Sequence, residues 1–112
     1  MAPRTELVRG SLEVLILQAL ATGPLHGLGI ARRIEQMTGG AFAVKAGSLF
    51  PALHRLEEGG WLDATWGESE TRRKARYYRL NAAGQRRLKR ETGEWRRVAL
   101  ALAQALSSPS KA

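Results

Sequence analysis

Residues 82–106, AAGQRRLKRETGEWRRVALALAQAL, limit what this chain can fold into more than any other stretch. Leu88, Thr92, Trp95, Ala99, Leu102 and Leu106 recur at steps of four and three, a heptad seam with one polar member. Asn81 stands where it can cap the helix that this pattern predicts. At about 1.5 Å per residue such a helix is roughly 39 Å long. A single domain of this size has a radius of gyration of only about 13 Å, so the helix must overhang its own core. Residues 98–106, VALALAQAL, are apolar almost all round, and one domain cannot easily cover them. A second copy of the chain is the expected cover, with Leu88, Trp95, Val98, Ala99, Leu102 and Leu106 at the interface.

The rest of the chain reads as shorter elements. Val8, Leu12, Leu15, Ile16, Ala19 and Leu20 form the apolar stripe of a first helix from about Leu7 to Thr22, stopped by Gly23-Pro24. A second helix, roughly His26 to Thr38, should bury Ile30, Ile34 and Met37 and end at Gly39-Gly40. In the third, GSLFPALHRLEEGG, Ser48 is the expected N-cap, and Pro51 then falls in the first turn, where its missing amide proton has no intrahelical partner. Leu49, Leu53 and Leu56 make its inward stripe. Residues 61–66 and 75–80, WLDATW and ARYYRL, are predicted strands of a β-hairpin with the polar tip GESETRRK. Residues 107–112 look frayed.

Charge is regional. Residues 72–97 hold eleven Lys or Arg against two Glu, a balance of +9, whereas residues 1–71 hold six basic against eight acidic residues, a balance of −2. Such a distribution favours a surface that faces a polyanion over general solubility. The competing reading is a solvated helix face, which suits Arg86, Arg87, Lys89 and Arg90 better than it suits the hairpin tip.

Three helices, a basic hairpin and a further helix are the order of a winged helix-turn-helix, so the expected fold is mainly α with a β-hairpin and a long C-terminal dimerisation helix. Residues 1–80 would form the winged unit and 81–106 the dimerisation helix of the same compact body. In this design the third helix enters the major groove of double-stranded DNA, presenting the face opposite its apolar stripe. That face carries Ser48, Phe50, Pro51, His54 and Arg55. Ser48 can bond a phosphate or base edge, Phe50 can press on a sugar or a thymine methyl, and Arg55 can pair with guanine or hold a phosphate. Phe50 can instead tuck into the hairpin base, and His54 can be satisfied within the protomer. Arg72, Arg73, Lys74 and Arg76 are placed to hold the DNA backbone or reach a minor groove.

The segments GSLEVLILQAL, GPLHGLGIARRIEQ, GSLFPALHRLEEGGWL and RRKARYYRLNAAGQRRL together resemble the PadR family of bacterial transcription regulators, in particular its short subclass with one C-terminal helix. The likeness runs from about Leu7 to Leu106. It implies a homodimeric repressor on a partly palindromic operator, with the final helix packed against the first, through Leu12, and against the partner's final helix. This sequence departs from the family in Phe50 and Leu28, where tyrosines are usual, and in Lys45, where an acidic residue is common; Lys45 can add a phosphate contact. Some small members of the family stack flat hydrophobic ligands on a tryptophan between subunits. Trp95, with Thr92 nearby, lies at about that place, and the alternative there is a tryptophan that only packs the interface.

Other classes find little support. There is no cysteine, hence no disulfide frame, thiolate metal site or cysteine nucleophile, which fits a reducing cytoplasm. The apolar run LEVLILQALA is too short to span a bilayer and lacks a secretory cleavage pattern, so no membrane role is expected. His26 and His54 have no carboxylate at ligand spacing, and neither a nucleophile elbow nor a phosphate-binding glycine loop is present. No enzyme, metal or cofactor is expected. The remaining alternative is a winged-helix module that binds a protein partner and no DNA.

Overall fold

The computed structural model describes residues 5–109, with side chains from residue 10 onward. Its elements are α1 (Thr5–Ala19), β1 (Leu25–His26), α2 (Gly27–Met37), α3 (Ala46–Glu58), β2 (Leu62–Glu68), β3 (Lys74–Leu80) and α4 (Ala82–Leu106). The expected fold class holds: four helices with a small antiparallel sheet in winged-helix order. The sheet has one strand more than predicted. Leu25 and His26 pair with Tyr78 and Tyr77, giving the order β1-β3-β2. Two residues ahead of a helix carry no strand periodicity, so pairing to β3 alone defines β1.

The core is one cluster. Leu12, Ile16, Leu17 and Leu20 of α1 pack with Ile30 and Ile34 of α2, with Leu49, Ala52, Leu53 and Leu56 of α3, and with Leu62, Tyr78 and Leu80 of the wing. The stripes expected on α1 and α3 are buried except for Leu15, which is half-buried at the edge of the core, and Leu17 and Ala52 are additions; the side chain of Val8 lies outside the described residues. α1 ends at Ala19, earlier than Thr22, and the chain turns through Gly23 at φ +152°. Met37, expected in the core, is exposed at the last turn of α2, where the chain already leaves the body at Gly39 and Gly40.

α3 starts earlier than its sequence signals suggest. Lys45 is the N-cap, with no side-chain bond to the helix, so Ser48 is the third helical residue and no cap. Pro51 accordingly lies inside the helix, where it denies the Gly47 carbonyl its usual amide partner. The helix ends as expected, at Gly59 and at Gly60 with φ +82°.

The wing is tighter than predicted. β2 and β3 pair from Leu62↔Leu80 to Glu68↔Lys74, which leaves residues 69–73 as its tip. There Arg72 adopts φ +63°, the Ser69 amide donates to the Arg73 carbonyl and the Arg72 amide to that of Ser69. Asn81 caps α4 as expected: its Oδ1 accepts from the Gly84 amide at 2.9 Å. Gly84 is required at that point because a Cβ would collide with the Trp61 carbonyl oxygen.

α4 spans 25 residues, and the molecule measures 59 × 29 × 21 Å with a radius of gyration of 15.8 Å, longer than a compact body of this size. Val98, Leu100, Leu102 and Leu106 lie exposed on the overhanging half. Leu12 does not join them. It is 3% exposed inside the protomer's own core, because α1 is enclosed by the other helices. Leu88 likewise packs on that core. Of the expected frayed tail, residues 110–112 lie outside the described residues.

Candidate nucleic-acid interface

With 3.6 residues per turn, burial of Leu49, Ala52, Leu53 and Leu56 leaves Gly47, Pro51, His54 and Glu58 on the opposite crest of α3. Ser48 and Arg55 fall on the flank toward α1, and Phe50 and Glu57 on the flank toward the wing. The five residues predicted for this face are therefore exposed but divided. Pro51 and His54 stand at the crest. His54 Nε2 lies 3.2 Å from Glu58 one turn on, with both side chains exposed.

Arg55 is held from the side. Its Nε donates to Glu13 of α1 at 3.0 Å, which leaves the two terminal nitrogens of the guanidinium for another acceptor. The other Glu13 oxygen accepts from Arg87 of α4 at 2.8 Å, and Arg87 also donates to Glu91 at 2.7 Å and covers the Trp61 ring. Arg87, expected on a solvated face, is thus largely buried. Burial opposes its charge, but the bonds to Glu91 and Glu13 prevail and hold its pKa above the ordinary arginine value.

Phe50 lies on the start of α2. A Cβ on Gly27 would come within 2.7 Å of the ring, so only glycine lets the aromatic rest there. Half of Phe50 remains exposed, beside an exposed Leu28. Opposite stands the wing. Arg76 is fixed to Glu57 of α3 at 2.6 Å, and together with Lys74 it lies over the Trp66 ring. Arg72, Arg73 and Lys74 are exposed at and beside the tip.

The wing tip is latched to the body. His26 is the N-cap of α2 and accepts the Gly29 amide proton at Nδ1, so its own ring proton sits on Nε2, which donates to Glu70 at 3.1 Å. Tyr77 meets the same imidazole edge-on. Glu70 is held below the usual carboxylate range, first by its own backbone amide and then by His26. Each histidine therefore has a carboxylate partner, contrary to the sequence reading. His26–Glu70 spans 44 positions and is invisible as spacing, whereas His54–Glu58 is an i, i+4 pair that the spacing could have revealed. Neither makes a metal site: no group of three or more His, Cys, Asp or Glu among the described residues could hold an ion.

Lys45 and Ser48 border a small cavity of about 150 Å³ between α3 and Ser11 of α1. Trp95 is half-buried against α1, where a Cβ on Gly10 would lie 3.7 Å from the indole. Thr92 bonds back to the Leu88 carbonyl at 2.7 Å and borders a separate open hollow near Gln18 and Arg96 that Trp95 does not line. No helix among the described residues is long and apolar enough to cross a membrane.

A recognition-type helix set beside a basic wing defines a winged-helix protein of the DNA-binding class. The chain belongs to the PadR-like family of transcriptional regulators, whose sequence profile matches residues 16–90, and the regulator role sets enzymatic activity aside. A protein of Lysinibacillus sphaericus with uncharacterised function is 28% identical over 95 residues, covering 85% of this chain and 87% of its own. A transcriptional regulator from Clostridium thermocellum is 27% identical with a TM-score of 0.77, covering 88% of this chain and 96% of that one. A PadR family regulator from Eggerthella lenta is 26% identical with a TM-score of 0.73, covering 94% and 89%. The structure of Bacillus subtilis PadR in complex with operator DNA shares the fold at 23% identity and a TM-score of 0.65, covering 73% of this chain and 47% of that chain.

Proposed function

We propose that this chain is a homodimeric repressor that reads a palindromic operator in duplex DNA. The observation that carries the reading is the exposed basic wing tip, Arg72, Arg73 and Lys74, set beside the outward crest of α3. Pro51 and His54 enter the major groove. Ser48 and Lys45 approach the backbone from the α1 flank. Arg55, held toward the α1 flank through Nε by Glu13, keeps both terminal nitrogens for a phosphate or for a guanine. That the Bacillus subtilis protein of this fold was solved with operator DNA supports duplex DNA as the partner.

Pairing of two copies through the exposed Val98, Ala99, Leu102 and Leu106 would fix the distance between two α3 helices, which must match half-sites about one duplex turn apart. Trp95 serves chiefly as packing in this reading, since it already rests on Gly10. A small aromatic effector that favoured another spacing would release the operator in proportion to its preference between the two states. Such a regulator works in the cytoplasm, beside the chromosome.

Selection of bound sequences from random duplexes tests the reading, combined with ultracentrifugation of the native chain and of Leu102→Glu. The expected results are a two-fold symmetric consensus and a native dimer. Leu102→Glu should weaken association by at least about a hundredfold, since it buries unpaired carboxylates, and should lower operator affinity with it. A native chain that stays monomeric at micromolar concentration and enriches no duplex would refute the reading, leaving a protein-interaction module as the better description.

A further inference from the structure

Between the start of α2 and the wing tip lies an open cleft of about 400 Å³ that brings Leu28 and Arg32 of α2 together with Phe50 and Arg73. Leu28 and Phe50 form an apolar floor, each at least half exposed. Arg32 stands on one side and Arg73 on the other. Neither guanidinium makes a hydrogen bond or ion pair to any described residue. Single exposed apolar side chains are ordinary, and so are solvated arginines. What distinguishes this place is their meeting in one concavity that opens beside the recognition face.

The cleft already holds one anion. Glu70 lines it, tied to His26 at 3.1 Å, and its carboxyl is held below the usual range by its own amide, by His26 and, more weakly, by Arg32. With Glu70 bonded to His26, the cations Arg32 and Arg73 are the unpaired charges of the cleft and favour an anion, while the floor favours a carbon surface. A stretch of sugar-phosphate backbone supplies both in alternation, and the cleft is too open to enclose a small molecule.

We propose that this cleft is a seat for one strand of the DNA backbone, in which Arg32 and Arg73 hold phosphate oxygens from opposite sides while Leu28 and Phe50 lie against deoxyribose. The inference rests on the DNA-binding reading above and adds to it a contact from α2, Arg32, and a role for the leucine at position 28. A tyrosine at either floor position would bring a hydroxyl to the backbone; the carbon surface of Leu28 and Phe50 instead leaves the charge to the two arginines. The seat carries no base information, so it acts on every sequence alike.

The test measures binding of a selected duplex and of a scrambled duplex across a salt series, using the native chain, Arg32→Ala, Arg73→Ala and Arg33→Ala. Arg33 is the control, since it points back to the Thr22 hydroxyl at 3.2 Å. Arg32 and Arg73 are exposed and Arg33 is half-buried, and thermal melts confirm that each of the three variants folds. Arg32→Ala and Arg73→Ala should each weaken both duplexes by the same factor and flatten the slope of log affinity against log salt by about 0.9. Arg33→Ala should match the native chain. If Arg73→Ala weakens binding and Arg32→Ala behaves like Arg33→Ala, the seat is wrong and the wing reading stands. If neither arginine matters while a duplex is still bound, the seat falls and the DNA-binding reading stands; if no duplex is bound, both fall.

Discussion

Arg55 of α3 and Arg87 of α4 converge on one acceptor, the two oxygens of the Glu13 carboxylate, at 3.0 and 2.8 Å. A single acidic residue of α1 thus ties the recognition helix to the overhanging helix. Replacing it by Gln keeps the shape but removes the charge that two cations share, one of them largely buried. Glu13→Gln should lower stability by about 1.5–3 kcal/mol, the range for a hydrogen bond to a charged group. Urea unfolding at neutral pH measures this. The slope should be unchanged, because the surface exposed on unfolding is the same. A midpoint equal to that of the native chain would mean that the three-residue cluster contributes nothing in solution.

Glycines on α4 should respond in opposite directions. A Cβ on Gly84 would strike the Trp61 carbonyl and come within 2.9 Å of Leu80, and neither can give way without moving the wing base. Gly84→Ala should therefore destabilise by about 1–3 kcal/mol, as overpacking does. On Gly93 a Cβ would meet only the flexible end of Arg97, at 3.9 Å. Gly93→Ala should stabilise by about 0.5–1 kcal/mol through the higher helix propensity of alanine. Paired thermal melts that moved the same way would contradict the packing of α4 on the wing.

Much of the architecture was legible because it is written in local periodicity. The stripes Leu12-Ile16-Ala19-Leu20 and Leu49-Leu53-Leu56 and the Asn81 cap are patterns that a helix imposes at three- and four-residue steps. What was illegible depends on long-range meetings. His26 and Glu70, Glu13 and Arg87, and Leu25 and Tyr78 are separated by dozens of residues, so no spacing rule joins them. The start of α3 was misread because Ser48 is a good cap by type, while the backbone takes an extended conformation only at Lys45. That shift of three residues moved Pro51 into the helix interior. Of the wing, the basic tip was plain from composition; the latch that holds it was not.

The latch gives a pH dependence whose sign follows from Glu70. Its carboxyl titrates below the ordinary glutamate value of about 4.3, chiefly because of its own backbone amide and the His26 bond. A depressed carboxylate contributes fully above the unfolded value and loses its contribution as pH falls through the folded one. The wing tip should therefore stay latched through neutral pH and loosen only in acid. Side-chain carboxyl NMR shifts follow Glu70 directly, and Glu70→Gln should abolish the associated change in the His26 ring signals. Titration of Glu70 at or above the ordinary value would show that the latch does not form.

Gly47 offers a separation of folding from function. It lies in the first turn of α3, on the outward crest, and a Cβ there would meet nothing within 4 Å. Glycine in a helix costs about 0.5–1 kcal/mol relative to alanine, so the free protein is less stable for having it. Pro51, four residues on, leaves the Gly47 carbonyl without its helical amide, but an alanine at 47 would retain that same carbonyl. On the DNA-binding reading, a bare backbone at this crest lets a duplex come closest. Gly47→Ala should raise the melting temperature by a few degrees, the shift expected for this gain in a chain of this length. The same variant should bind its selected duplex about tenfold more weakly, with the salt slope unchanged because no cation is lost. A variant that binds as tightly as the native chain would remove Gly47 from the contact surface, and one that is destabilised would assign it instead to relieving the proline.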